Sequence, residues 1–385
     1  MSRFLFVVPP LTGHINPAAA TAAELTARGH RVAWAGWPDL VARLAGAGAT
    51  TYACALPAGV RRPPELRGVA ALRFLWQDFL APLAEAMAPA TERAAADFRP
   101  DVLVADQQAL AGALVAERLG VRWATSATTS AEFTGAVAGL PKVEEWIHGL
   151  LTGLRQRLGD PAATHDPRFS PHLTLAFTVA ELAGAPALPE VRYVGPAVPP
   201  HPAAAEDFPR EWLDPGRSAV LVTLGTVNAD TGARFLAECA AAVRERAHRL
   251  QAVIADPGDT LGGVRDGDVV ALRHVPQLAL LPRMSAVVCH AGHNTVTESL
   301  WHGLPLVVAP IRDDQPVVAG QVTAAGAGVR VRFGRADRTR LGAALDAVLG
   351  ERHHRDAALR LRAALRSAGG AATAAGHLED LAARP

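Results

Sequence analysis

The residues best suited to chemistry stand together in residues 287–315, VVCHAGHNTVTESLWHGLPLVVAPIRDDQ. His290, Gly292, Asn294 and Thr295 fall in a tight turn between an apolar run at 286–289 and an amphipathic stretch at 294–302 that Gly303 ends. A short apolar run of this kind reads as a strand buried on both faces. The turn therefore lies at the carboxyl end of a parallel strand and the amino end of a helix, where backbone N–H groups and partial positive charge suit a phosphate. A second apolar strand is expected at 306–309. Beyond it, Asp314 and Gln315 offer adjacent acceptors with one amide donor, which fits a ring of hydroxyls better than a metal. A diphosphate beside a sugar is a nucleotide sugar.

The elements that must position these groups follow an alternating βα rhythm. The first half opens with a strand at 4–8, then P-P-L-T-G-H-I-N-P, a helix at 18–27 and a strand at 31–35. The opening lacks G-x-G-x-x-G spacing, so the loop 11–17 is not a pyrophosphate cradle. It presents His14 instead, at the carboxyl edge of the sheet, with Gly13 allowing a tight turn and Pro17 suited to a first helical turn. Residues 101–106, DVLVAD, form a buried strand ending at Asp106, followed by a helix at 109–118 and a strand near 121–124. Two stretches, 72–88 and 128–158, carry Phe74, Trp76, Phe79, Phe133 and Trp146, candidate walls of an apolar pocket. After a Pro/Ala-rich passage at 196–209, strands are expected at 219–224, 251–255 and 269–272, with helices from 338 onward.

Composition narrows the class. A chain of 385 residues makes two domains of ordinary size. Lys+Arg 38 against Asp+Glu 37 leaves no basic stripe for nucleic acid. Cys54, Cys239 and Cys289 have no C-x-x-C spacing and are odd in number, which supports neither a disulfide framework nor a thiolate metal site and fits a reducing, cytoplasmic setting. The run at 4–8 is too short for a secretion signal, and no stretch has the length of a membrane span.

The string H-A-G-H-N-T-V-x-E from His290 to Glu298, then G-L-P, then D-Q, resembles the donor signature of the UDP-glycosyltransferase superfamily, most closely its actinobacterial antibiotic and macrolide branch. The resemblance implies a GT-B arrangement: two facing Rossmann-like, doubly wound α/β domains with the active site in the cleft. It implies an acceptor domain at 1–200, a linker at 201–214, a donor domain at 215–370, and a last helix, 371–385, that packs back on the first domain.

The resemblance also distributes roles. His14 and Asp106 match the family's His/Asp pair, in which the imidazole takes the acceptor proton and the carboxylate fixes its tautomer. Thr226 in L-G-T, His290, Gly292, Asn294 and Thr295 would hold the diphosphate. Glu298 would accept ribose hydroxyls, and His274, Val275 and Gln277 of H-V-P-Q would meet the base and ribose, His274 standing where plant members carry a stacking tryptophan. The expected reaction is inverting, metal-independent transfer of a hexose from a nucleotide sugar (UDP-glucose first, a TDP-sugar second) to a hydroxyl of a lipophilic small molecule. The turn Asp266-Gly267-Asp268 has D-x-D spacing, but its setting before a strand reads as a solvated turn, so no metal or other cofactor is expected. A homodimer is compatible with the sequence. The competing readings are a nucleotide-sugar epimerase of the same fold, which needs no apolar acceptor pocket, and a non-catalytic binder, which would tolerate loss of the His/Asp pair.

Overall fold

The strands are near-continuous apolar runs because helices cover both faces of each sheet. The structure, a computed structural model, describes residues 1–60, 62–63, 65–135, 140–198, 208, 210–225 and 232–384. The first sheet comprises β1 (Arg3–Val7), β2 (Arg31–Gly36), β3 (Thr51–Ala53), β4 (Val102–Asp106), β5 (Trp123–Ala127), β6 (Thr174–Ala176) and β7 (Val191–Tyr193), in the order β3-β2-β1-β4-β5-β6-β7. The second comprises β8 (Ser218–Thr223), β9 (Leu250–Ala255), β10 (Val269–Leu272), β11 (Ala286–Cys289), β12 (Leu306–Val308) and β13 (Gly328–Arg330), in the order β10-β9-β8-β11-β12-β13. The pairs between these strands are parallel. Both sheets reverse their winding once, between β1 and β4 and between β8 and β11, and ligands of doubly wound sheets bind at the carboxyl side of such a switch point.

Phe4, Phe6, Val102 and Val104 pack on one face of the first sheet, Leu5, Val7, Leu103 and Ala105 on the other. The last helix, Gly370–Ala383, lies along helix Thr12–Ala27 and adds Ala374, Leu378 and Leu381 to the first of these cores. Glu379 ties it down through Arg28 and His30, at 2.7 and 2.8 Å. The expected linker lies largely outside the described residues. Among the described residues no helix is long and apolar enough to cross a membrane.

Two boundaries differ from the sequence reading by more than one residue. β5 begins at Trp123 and runs to Ala127, later than expected, which moves the following residues to the sheet edge. The first helix begins at Thr12, so His14 sits on its first turn and not in a loop, with Pro17 inside the helix. Pro17 has no N–H, which leaves the Gly13 carbonyl without its partner four residues on. Asn294 of the second domain supplies the missing donor, its Nδ2 lying 2.6 Å from the Gly13 oxygen.

Candidate active site

His14, carried by the helix after β1, meets Asp106 at the end of β4. Its Nδ1 lies 2.9 and 3.0 Å from the two carboxylate oxygens. An ionised carboxylate only accepts, so Nδ1 carries the proton and Nε2 is the free lone pair. The backbone N–H of Gln108 donates to Asp106 at 2.8 Å and holds the carboxylate in place. Thr128 completes the arrangement: its Oγ1 is 2.7 Å from His14 Nδ1 and donates to Asp106 Oδ2 at 3.3 Å. Burial alone would lower the His14 pKa, but the Asp106 carboxylate, with Asp314 and Glu132 behind it, leaves it raised above 6.5.

An imidazole acting as a base must be neutral to take a proton, so turnover that depends on His14 should fall as pH drops through this raised value. We expect the acid limb of kcat/KM to lie above pH 6.5. Asp106→Asn removes the main raising charge and should move that limb downward while also lowering the plateau. A limb that stays in place would show that another group controls it.

In the second domain, the His290 ring is wedged between two glycines. A Cβ at Gly292 would sit 2.3 Å from Nε2, and one at Gly225 would sit 2.8 Å from Cε1. Burial, with Arg312 adding its charge, pushes the His290 pKa down to about 4. The imidazole is therefore a neutral hydrogen-bonding group and brings no positive charge. Ala291, between His290 and Gly292, has φ +65°, a strained conformation for a residue with a Cβ. The helix His293–Trp301 that follows has no side-chain cap, and its first amides face the turn.

The remaining predicted donor residues divide. Gln277 Nε2 donates to Glu298 Oε2 at 2.6 Å, and burial pushes Glu298 up to about 7 against that hydrogen bond. His274 is exposed, and Val275 packs against the core of the second sheet. The Thr295 side chain is buried in the helix, and Asn294 spends its amide on Gly13, so it joins the two domains. Gln315 Oε1 accepts from the N–H groups of Ile311 and Arg312, at 2.8 and 3.1 Å, which braces the turn after β12. Asp314 accepts from Thr129 of the first domain. Thr226 lies outside the described residues.

The acceptor-wall expectation needs correction. Phe133 is 1 % exposed and belongs to a core cluster with Phe169 and Val191, and Trp76 is 3 % exposed beneath Leu110 and Ile147. Phe79 and Trp146 pack against that second cluster. Large rings recover most free energy when fully covered, so the aromatic stretches went to helix packing. Phe74 is half-buried, with Arg62 5.7 Å above its ring.

A family model described as UDP-glucoronosyl and UDP-glucosyl transferase matches residues 179–366. The 4'-demethylrebeccamycin synthase of Lentzea aerocolonigenes is 31% identical over 94% of this chain and 95% of its own length. This chain belongs to that transferase family. The elloramycin glycosyltransferase of Streptomyces olivaceus is 33% identical, with 85% of each chain covered. Among solved structures, the spinosyn rhamnosyltransferase SpnG superposes with a TM-score of 0.78 at 25% identity, covering 98% of this chain and 100% of that one. The kitacinnamycin glycosyltransferase shares the fold, with a TM-score of 0.82 at 24% identity over 99% and 98% of the two chains. The protein is a GT-B glycosyltransferase.

Three residues of this glycosyltransferase escaped the sequence reading. Thr128, Thr129 and Ser130 reach, respectively, His14 with Asp106, Asp314, and Gln321 of the second domain at 2.7 Å. The signal was present: a polar triplet follows a buried strand at its carboxyl end. Pairing of Asp106 with Ser126 places Thr128, two residues on, on the same side as Asp106.

A further cross-domain contact frames the turn that carries Asp314 and Gln315. Arg62 donates to both oxygens of Asp313, at 2.8 and 2.6 Å, and Asp313 has φ +59° immediately before Asp314. Arg62→Ala should raise the donor KM about tenfold, in the range for a partly buried bidentate pair discounted for its solvent contact. The affinity for the nucleoside diphosphate alone should stay within about twofold, because it lacks the sugar. Equal losses for both ligands would assign the pair to domain stability instead.

Proposed function

We propose that this glycosyltransferase moves a hexose from UDP-glucose, or second from a TDP-sugar, to a hydroxyl of a lipophilic natural-product aglycone, with inversion and without a metal. One observation carries the reading: His14 Nδ1 is held by Asp106 and Thr128, which leaves Nε2 as the ring nitrogen free to take a proton. The helix that bears it is tied to the donor-side helix through Gly13 and Asn294.

In this mechanism residues 1–200 take the acceptor and residues 215–370 the donor. The acceptor O–H gives its proton to His14 Nε2 as its oxygen attacks the anomeric carbon. The bond from that carbon to the diphosphate oxygen breaks on the opposite face, and the electron pair leaves with the nucleoside diphosphate. A single displacement of this kind inverts the centre. Asp106 stabilises the imidazolium that forms. Amides at the start of helix His293–Trp301, neutral His290 and Thr226 hold the departing diphosphate. Asp314 and Gln315 read the sugar hydroxyls, and Glu298 with Gln277 meets the ribose.

The chemistry of the D-x-D turn supports metal independence. Asp266 accepts from the N–H groups of Asp268 and Val269 and pairs with Arg244 at 2.7 Å, and Asp268 pairs with Arg217 at 2.8 Å. Relatives named for rebeccamycin and elloramycin support the class of acceptor. SpnG, solved with thymidine diphosphate, supports a TDP-sugar as the second donor.

The test is turnover with chelator present, UDP-glucose or TDP-glucose as donor, and polyphenol and macrolide acceptors, read by mass for a hexose adduct and by NMR for the anomeric linkage. A β-linked adduct is expected from either α-linked donor. A retained configuration, or a rate abolished by chelator, would overturn the mechanism.

A further inference from the structure

Asp314 stands where a helix would use it as a cap, and the helix does not. It immediately precedes helix Gln315–Ala324, yet its side chain accepts no amide of that helix. Asp337, in the same place before helix Arg338–Gly350, accepts from the Arg340 N–H at 2.8 Å in the ordinary way. Pro316 removes one of the amides that Asp314 could have taken. The carboxylate turns instead to the first domain, where the Thr129 hydroxyl donates to its Oδ2. No other side chain among the described residues bonds it.

Both carboxylates of this turn are therefore held from across the interface, Asp313 by Arg62 and Asp314 by Thr129, whereas Gln315 is braced within its own turn. Thr129 is 5 % exposed and stands between two residues with related tasks. Thr128 bonds the His14–Asp106 pair, and Ser130 donates to Gln321 Oε1 at 2.7 Å. Gln321 lies about two turns along the helix that Asp314 precedes. Contacts at the start of that helix and two turns on fix both its slide and its rotation against the strand end. Consecutive Cα atoms are about 3.8 Å apart, so Thr128 and Thr129 tie the imidazole and the Asp314 carboxylate to one short piece of backbone.

We propose that Thr129 is a positioning residue for the donor sugar: its hydroxyl aims the Asp314 carboxylate, leaves the second oxygen for a sugar hydroxyl, and does so only when the two domains are docked. Discrimination between a nucleotide sugar and the bare nucleoside diphosphate then depends on a residue of the first domain. Because Thr128 belongs to the same strand end, a shift of the carboxylate against Thr129 is also a shift against His14. This rests on the sugar-reading role proposed above for Asp314.

The experiment titrates UDP-glucose and UDP, and separately TDP-glucose and TDP, into the full chain by calorimetry without acceptor. Thr129→Val keeps the shape and removes the hydroxyl. It should weaken binding of the nucleotide sugar about tenfold, the size of one hydrogen bond to a charged group, and that of the diphosphate by less than about twofold. Thr129→Ala lacks the same hydroxyl without setting a methyl against the carboxylate, and it should reproduce the pattern. Thr129→Ser keeps the hydroxyl and should bring sugar binding to within about threefold of the wild type. Added to Asp314→Ala, Thr129→Val should change nothing further, because Thr129 acts through that carboxylate. A merely structural residue would show its full cost in both backgrounds.

Unchanged binding of the nucleotide sugar in Thr129→Val and Thr129→Ala, equal losses for sugar donor and diphosphate, or additive losses in the double variant would each overturn the assignment. If the wild type binds its nucleotide in those samples, only this inference fails. A wild type that binds neither nucleotide would count against the proposed function itself, and this inference would fall with it.

Discussion

His14→Ala should lower kcat/KM by roughly 10²- to 10⁴-fold, the range for removal of a positioned general base. The UDP affinity of the same protein should change by less than about twofold, because a group needed only in the transition state adds little to ground-state binding of the donor. The variant should fold. The His14 side chain keeps 16 % exposure, and the cross-domain bond beside it uses the backbone oxygen of Gly13, which the substitution leaves in place. Kinetics and calorimetry on one preparation decide the matter. Parallel loss of turnover and nucleotide affinity would mean that the imidazole supports the donor site and not the proton transfer.

Gly292→Ala should weaken nucleotide diphosphate binding by at least about tenfold, or ~1.4 kcal/mol. The residue has φ −64°, so the backbone itself accepts a side chain without strain. What the new methyl meets is the His290 ring, 2.3 Å from Nε2, and that ring is 8 % exposed with Gly225 against its other side. Either the imidazole swings away or the turn shifts, and both move hydrogen-bonding groups out of line with the phosphates. The melting temperature should fall by no more than a few degrees, since relaxing one packed contact costs of order 1–3 kcal/mol. Unchanged UDP affinity in a calorimetric titration would show that the diphosphate does not lie against this turn.

Local chemistry made a good part of this protein readable from its residues. Uninterrupted apolar runs announce parallel strands because both faces are covered. The strand, turn and helix around His290 to Thr295 were legible for the same reason, because the end of a strand, a glycine and the start of a helix are contiguous in the chain. Asp314 and Gln315 follow β12 directly, so their place at the sheet edge is equally a matter of short-range order.

Tertiary structure decided what depends on groups far apart in sequence. His14 and Asp106 are separated by 92 residues, Thr129 and Asp314 by 185, and Arg62 and Asp313 by 251. No periodicity carries such pairings, because strand register and the docking of two sheets set them. The aromatic stretches show the same limit: their spacing is alike for a pocket wall and a helix interface, and only packing sent Phe133 and Trp76 inward. Pro17 joins the two levels. Its missing N–H is a property of the sequence, whereas the donor that answers it, Asn294, arrives only when the second domain folds against the first.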